Sequence, residues 1–518
     1  MPQIYIGENN ISRLVNSIYV GVDGKARRVI KAYVGVDGKA RLCFEDGVPY
    51  YALLYDDGTL IVQSDDVADA DKTLSATYKV RGKYSTPSLV PWNSNKQNIN
   101  QVFFNGIVET NISYWFYNAK NLKYVDMTNL STSNMYNTYY GCSNLTGSPV
   151  CGNSVTDMHG TYYDCYNLTG SPVCGDNVVD MSHAYCSCTN LTGSPVCGEN
   201  VTSMAYAYCD CYNLTGSPTC GDNVVGMSSA YYNCRNLTGS PVCGDNVVYM
   251  DLAYYNCRNL TGSPVCGNNV TNFGGTYAYC TNLTGSPVCG ENVTSMCGQH
   301  YTGFDWKGAG TYEDCTNLTG SPVCGENVTS MAYAYRNCYN LTGSPVCGNN
   351  VTNMWYTYHH CHNLTGSPVC GPNVTSMRNT YYNCRNLTGS PVCGNNVTDM
   401  YAAYGGCTNL IGSPVCGDNV TNMEYTYIHC KNLTGSPVCG DNVTGFSRTY
   451  KDCINLTGSP VCGNNVTGFS STYEGCSNLT GSPVCGENVT DMSGTYSNCT
   501  NLTGSPVCGN NVTTMGMY

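Results

Sequence analysis

From Asn144 onward the apolar positions of this chain fall in one frame that returns every 23 residues. Met492, Thr495, Tyr496 and Cys499 stand at i, i+3, i+4 and i+7, the spacing of one face of a helix. Met400, Ala403, Tyr404 and Cys407 repeat the frame, as do Met354, Thr357, Tyr358 and Cys361. Phe273, Phe446 and Phe469 put another core side chain in the methionine's place. The spacing predicts a helix of about two turns in each unit, buried on its Met/Tyr/Cys side. So short a helix is not stable alone, but stacking on its neighbours makes its face part of a continuous core. The tract that follows, Asn-Leu-Thr-Gly-Ser-Pro-Val-Cys-Gly, is predicted to be extended. Its Leu and Val lie five apart, so a regular strand would send them to opposite faces. A bend at Gly-Ser-Pro is expected to turn both inward. The recurring proline removes a backbone donor, which predicts an irregular sheet along that row. Gly-Asn-Asn or Gly-Asp-Asn then turns the chain.

One short strand and one short helix per unit, repeated in parallel, predict an α/β fold: a right-handed solenoid with strands on one side and helices on the other. Asn121, Leu122 and Met135 precede Asn144, Leu145 and Met158 by one period, so a divergent founding unit stands before sixteen close copies. Two cysteine columns, Cys142 to Cys499 and Cys151 to Cys508, hold 32 of the 36 cysteines. Each column places like on like, and free cysteine packs as a small hydrophobe, so both are expected to be buried and reduced. Cysteines nine apart without nearby histidine are not a zinc pattern.

Charge changes the picture for partners. Residues 1–123 carry 14 Lys/Arg and 12 Asp/Glu, whereas residues 124–518 carry 9 and 23. Phosphate contact needs clustered cations, so nucleic acid is not expected along the array. No run approaches the roughly 20 apolar residues that span a bilayer. The start, MPQIYIGENNISRLVNSIYVGVDG, does not read as a secretory signal.

Before the array, Tyr19-Val-Gly-Val-Asp-Gly-Lys-Ala-Arg returns at Tyr33, 14 residues later. Asp-Gly between alternating segments is a hairpin signal. The expected organisation is a duplicated β-hairpin head over 1–45, serving as an anchor, and a small β module over 46–110 that caps the array. The solenoid of about 17 units follows over 111–518, interrupted near 297–309.

The frame Leu-x4-Val-Cys…Val-x2-Met-x2-(Ala/Thr)-Tyr-x2-Cys-x2-Leu resembles the BspA-like leucine-rich repeats of bacterial surface proteins. Their unit has the same period and the same aromatic-x-x-Cys-x-x-Leu signature. The resemblance covers residues 111–518 and implies a leucine-rich-repeat solenoid with an adhesive role at a cell surface. Gly-Ser-Pro departs from it, standing where the family has a second leucine and its strand. The head resembles the duplicated hairpins that open tail-associated proteins of phages infecting gut bacteria. That likeness implies a virion location, with tail proteins as partners.

Comparing the copies with one another shows where they differ. Variation concentrates at five positions after the methionine: +1, +2, +5, +6 and +8, the outward positions of the predicted helix. Tyr333, Arg336 and Tyr339 follow Met331; Trp355, Tyr356, His359 and His362 follow Met354. Arg378, Tyr382 and Arg385 follow Met377, and Tyr425 and His429 follow Met423. This palette is that of a paratope. Exposed positions also drift, yet the Thr, Gly and Ser of the other side hardly vary. A 12-residue insertion after Met296 adds His300, Tyr301, Phe304, Asp305 and Trp306, aromatic platforms with polar partners. Together these residues form the candidate ligand site for a host cell-surface protein or glycan.

No catalytic set recurs, and no cofactor or metal is called for. Fifteen Asn-Leu-Thr triplets match glycosylation acceptors but are read as a structural asparagine ladder. Val507, Val512 and Met515 are expected at an open last rung, covered by another copy of the chain or by a partner protein, and a homo-oligomer is expected.

Overall fold

The computed structural model describes residues 50–516, apart from 81, 109–110, 302–305, 461, 506 and 508, together with the strands of the first 49 residues. Side chains are described from residue 50 onward, outside 299–307. The chain forms two compact units, Met1–Leu168 and Thr169–Tyr518.

In the first unit three antiparallel hairpins come first: β1 (Tyr5–Glu8) with β2 (Ile11–Leu14), β3 (Ile18–Val22) with β4 (Lys25–Val29), and β5 (Lys31–Val36) with β6 (Lys39–Glu45). Val22 pairs with Lys25 and Val36 with Lys39; the Asp-Gly pairs expected to turn these hairpins lie outside the described residues. Next come β7 (Tyr50–Tyr55), β8 (Thr59–Gln63) and β9 (Leu74–Val80). The near-unbroken apolar run of β7 suits its central place, flanked by antiparallel β8 and β9.

This sheet then changes character. Strand β10 (Gln101–Asn105) lies parallel to β8, and β12 (Tyr124–Asp126) lies parallel to β10; between them in the chain is β11 (Ile107–Val108), which pairs in parallel with β13 (Leu130–Ser131). Gln101 pairs with Tyr124, one period on. The coil around Trp92 and Ile99 is therefore in register with the founding unit, and Trp92 Nε1 donates to the Trp115 carbonyl at 2.8 Å.

The second unit is a repeat solenoid. One parallel bridge per rung runs up the column from Asp180 through Ser203 to Thr514 in steps of 23 residues. The step from Ser295 to Ser330 is longer because it contains the insertion. The expected two-turn helix is not there. Among the described residues the only helices are two single-turn 3-10 segments, Pro87–Leu89 and Lys96–Asn98.

The Met354 unit shows why. The amides of Tyr356, Tyr358 and His360 donate at 2.7–3.0 Å to carbonyls of the next rung, at Arg378, Thr380 and Tyr382. Between them Thr357, His359 and Cys361 close turns on Met354, Tyr356 and Tyr358. Alternate amides thus leave the chain for its neighbour, so an i−4 ladder cannot form. Tyr356 and His360 have φ of 53° and 64°, the left-handed region, which reverses the coil twice per unit. The i, i+3, i+4, i+7 spacing holds all the same: Met354, Thr357, Tyr358 and Cys361 are wholly buried, with Val351 and Leu364.

The inward bend at Gly-Ser-Pro takes a different form from the expected one. Pro345 turns inward, whereas Val346 is half-exposed. Tyr358 hydroxyl donates to the Val346 carbonyl at 2.7 Å and accepts its N–H at 3.0 Å, so this row pairs with a side chain instead of a neighbouring strand. Gly366 holds φ at 82°, and a Cβ there would strike Ser344 Oγ of the preceding rung.

The two cysteine columns differ. Cys361 is buried and donates from Sγ to the Tyr335 carbonyl one rung below at 3.0 Å. The column of Cys347 and Cys370 is half-exposed, contrary to the expected burial, because it follows the outward Val. Among the described residues both columns are free thiols, and one disulfide, Cys186–Cys209, joins adjacent rungs outside them. The main asparagine ladder also lies elsewhere than expected. Asn350 of Gly-x-Asn donates to the Glu326 carbonyl at 2.9 Å, while the Asn-Leu-Thr asparagines Asn363 and Asn340 meet at 3.4 Å on the surface. Near the last rung Val507 and Met515 are exposed and Val512 is half-buried.

Candidate functional site

The tandem turns, not a helix, bring the five variable positions to one side of the rung. With Met, +3, +4 and +7 pointing inward, +1, +2, +5, +6 and +8 project outward, and residues at one position meet the same position a rung away. Tyr333 stacks on Tyr356 with ring centroids 5.3 Å apart, His359 on Tyr382 at 5.3 Å, and Tyr339 on His362 at 5.2 Å. The guanidinium of Arg336 lies over both Tyr333 and Tyr356, at 5.9 and 5.8 Å. Trp355 is 42% exposed, with its indole N–H donating to Ser376 Oγ at 2.5 Å. Arg378 lies 4.1 Å above Tyr401 and 3.6 Å from Asp399. Higher up, Arg448 donates to Tyr425 hydroxyl at 2.7 Å, and His429 Nδ1 lies 3.0 Å from Asp452. Arg385 is exposed beside His362.

Burial lowers the pKa of the neighbouring histidines His359, His360 and His362. Burial and the neighbouring His360 and Arg336 hold His359 down to about 3. Burial first, then His362 or Arg385, lowers His360 and His362 as well. Among the described residues no group of three or more His, Cys, Asp or Glu could hold a metal ion. No helix among them is long and apolar enough to cross a membrane.

The insertion is an antiparallel hairpin of β14 (Cys297–Tyr301) and β15 (Trp306–Gly310), springing from the outward turn between Met296 and Thr311. In its backbone His300 pairs with Lys307 and Tyr301 with Trp306; Phe304 and Asp305 lie outside the described residues. Its base packs on the face. Gly308 leaves room for the Tyr333 ring, and Ala309 joins Leu252, Tyr255 and Ala278 in a small apolar cluster. Below it Glu313 is almost wholly buried, accepting the Gly310 N–H at 3.2 Å and an Arg336 N–H at 3.0 Å. Burial pushes the Glu313 carboxyl up to about 7 against the pull of Arg336. This buried ion pair ties the hairpin to the Arg336 rung.

Comparing copies did not single out a second run of aromatic side chains on the early rungs. Tyr117, Tyr140 and Tyr163 stack at 4.7 and 4.6 Å, beside Tyr136 stacked on His159 at 4.8 Å. Their common +5 position was the available signal. One variable position has a second cause. The +6 residues, among them Asn233, Asn337, His360, Asn383, His429 and Asp452, all sit in the left-handed region, at φ between 58° and 77°. Asn, Asp, His and Gly tolerate that region best, so the palette at +6 reflects backbone demand as well as exposure.

No protein-family model and no curated protein sequence matches the chain. Among solved structures, a leucine-rich repeat protein from Bacteroides ovatus ATCC 8483 is 12% identical, covering 89% of this chain and 99% of that one, with a TM-score of 0.35. A leucine-rich cell surface protein from Faecalibacterium prausnitzii A2-165 is 15% identical over 89% of this chain and 94% of its own, at 0.26. A leucine-rich repeat protein from Eubacterium ventriosum ATCC 27560 is 12% identical over 87% and 93%, at 0.25. Superpositions this loose carry no argument about function, which rests on the face itself.

Proposed function

We propose that this chain is a non-enzymatic binding protein that uses the outward aromatic face between Tyr333 and His429 to hold a protein or glycan on a cell surface. The observation that carries the reading is the grouping of exposed Trp355 with Tyr356, Arg336 and Arg378 on adjoining rungs. Trp, Tyr and Arg dominate binding energy where they cluster. Here their rings are held by stacking before any ligand arrives, which lowers the ordering cost of binding. A right-handed, leucine-rich-repeat type of coil acting as a BspA-like adhesin is the form we favour. In a phage tail protein, hairpins β3–β6 would dock the chain on the virion; that reading rests on the head sequence alone.

The test replaces Trp306, Trp355 and Tyr356 with alanine together. Binding to gut epithelial cells, gut bacteria and a glycan array is expected to fall at least ten-fold, with an unchanged melting temperature. Binding that survives the triple variant would place the site elsewhere.

A further inference from the structure

From Tyr162 to Tyr450 each buried tyrosine of the core column closes the same pair of bonds. Its hydroxyl meets the N–H and C=O of the residue after proline, as Tyr162 does with Val150. Tyr139 is the founding member of this column, stacked 5.4 Å from Tyr162 and wholly buried. Its hydroxyl has no hydrogen-bond partner.

The cause lies in the sequence. One period before Val150 stands Met127, in a tract without Gly-Ser-Pro. There the chain runs as regular β12, held to β10, and the Met127 carbonyl already accepts the Leu130 N–H at 3.0 Å. The next rung has the first Gly-Ser-Pro bend. A straight strand and a bent one cannot nest, and between them lies a hollow of about 420 Å³. Tyr139 lines it together with Met127, Leu145, Pro149, Val150 and Leu168.

We propose that this hollow is a binding site for a small, uncharged, mainly apolar molecule whose single hydroxyl, carbonyl or ether oxygen meets the Tyr139 hydroxyl. The volume lies in the range of ligand pockets, roughly 300–1,000 Å³, and an apolar wall with one convergent polar group is their usual make-up. A buried hydroxyl without a partner costs free energy that a ligand oxygen restores. Charge argues for a neutral occupant. No Lys or Arg lines the hollow, so an anion finds no counter-charge. The Asp126 carboxylate on the rim is committed to the Thr128 N–H and hydroxyl at 2.9 and 2.6 Å. Burial keeps the Tyr139 phenol protonated, able to donate or accept.

The experiment uses the full chain and two probes of similar size, benzyl alcohol and toluene, followed by calorimetric titration. Wild type is expected to bind both saturably. Tyr139→Phe should weaken benzyl alcohol about five-fold, one neutral hydrogen bond, and change toluene less than two-fold. Val150→Trp, which fills the hollow from its half-exposed rim, should abolish both. The melting temperature of Tyr139→Phe should equal or exceed that of wild type, since the lost hydroxyl had no partner. The proposal is overturned if wild type binds neither probe saturably or if Tyr139→Phe treats the two probes alike. A fall in its melting temperature, or a crystal soaked in benzyl alcohol that shows only water at Tyr139, would overturn it equally.

Discussion

On the inward side of a rung, Tyr358, Thr357 and Cys361 each bond to backbone: Tyr358 to Val346 of its own unit, Thr357 to Met331 and Cys361 to Tyr335 of the rung before. On the outward side, three residues away in sequence, Trp355 and Tyr356 bond or stack only with other side chains. The difference explains which positions vary. An inward residue must fit a fixed buried space beside backbone groups, so few side chains are accepted. Tyr and Cys recur, the Thr357 position takes only Thr or Ala, and the Met354 position Met or Phe. An outward residue answers to whatever stands beside it, and a change on one rung is absorbed by its neighbours.

The sharpest way to break that comparison is to cut one bond on each side. Tyr358→Ala removes a fully buried ring and is expected to cost about 4 kcal/mol. Tyr358→Phe keeps the ring but strands the N–H and C=O of Val346, costing about 1 kcal/mol. Trp355→Ala, outward, should change stability by no more than about 0.5 kcal/mol. Urea unfolding of the three variants measures this directly. If Tyr358→Phe proves as mild as Trp355→Ala, backbone bonding is not what fixes the inward set.

Glu313 is the exception that sharpens the contrast, since it stands at an outward position yet is buried by the hairpin. Its carboxyl is raised to about 7 from an ordinary 4.5. Between those values the folded chain keeps a proton that the unfolded chain has released. Stability is therefore greatest at and below pH 4.5 and falls as pH rises through 7, by about 3 kcal/mol. The groups facing the carboxylate are Arg336, Asp314 and the Gly310 N–H, with Cys297, Tyr255, Tyr279 and Tyr333 also near it. Glu313→Gln should flatten that part of the profile in thermal melts between pH 4 and 8. A wild-type profile already flat there would show that Arg336 fully offsets the burial.

The period, the inward columns and the five outward positions were all legible in the sequence, because Met354, Thr357, Tyr358 and Cys361 point inward in a helix and in tandem turns alike. That ambiguity is also why a helix was expected. The deciding sign was at +6, where Asn, Asp, His and Gly recur at left-handed φ, which a helix interior disfavours. The outward Val346 was missed because its partner, a tyrosine hydroxyl 12 residues on, has no sequence signature. The hairpin had no copy to be compared with, and the hollow beside Tyr139 arises from a mismatch between two tracts, each unremarkable alone.

The smallest expected effect separates the two sides at a single pair of neighbours. Ala402 is outward at +2 with φ of 51°, and Ala403 is inward at +3 outside the left-handed region. Both are almost wholly buried, so exposure does not distinguish them. Left-handed φ costs an alanine roughly 1–2 kcal/mol that a glycine does not bear, against about 0.4–1 kcal/mol for the freer unfolded chain of the glycine variant. Ala402→Gly also loses a buried methyl, worth about 0.8 kcal/mol, so its stability should stay within about 0.8 kcal/mol of wild type. Ala403→Gly meets no such relief, and loss of its buried methyl together with the freer unfolded chain should lower stability by about 1 kcal/mol. A loss at Ala402 smaller than that at Ala403 by about 1–2 kcal/mol, read by denaturant midpoints, would establish the left-handed turn at +2 as the device that sends one side chain outward and the next inward. Equal losses at both positions would mean that the two residues share one conformation and that the tandem-turn account of the rung is wrong.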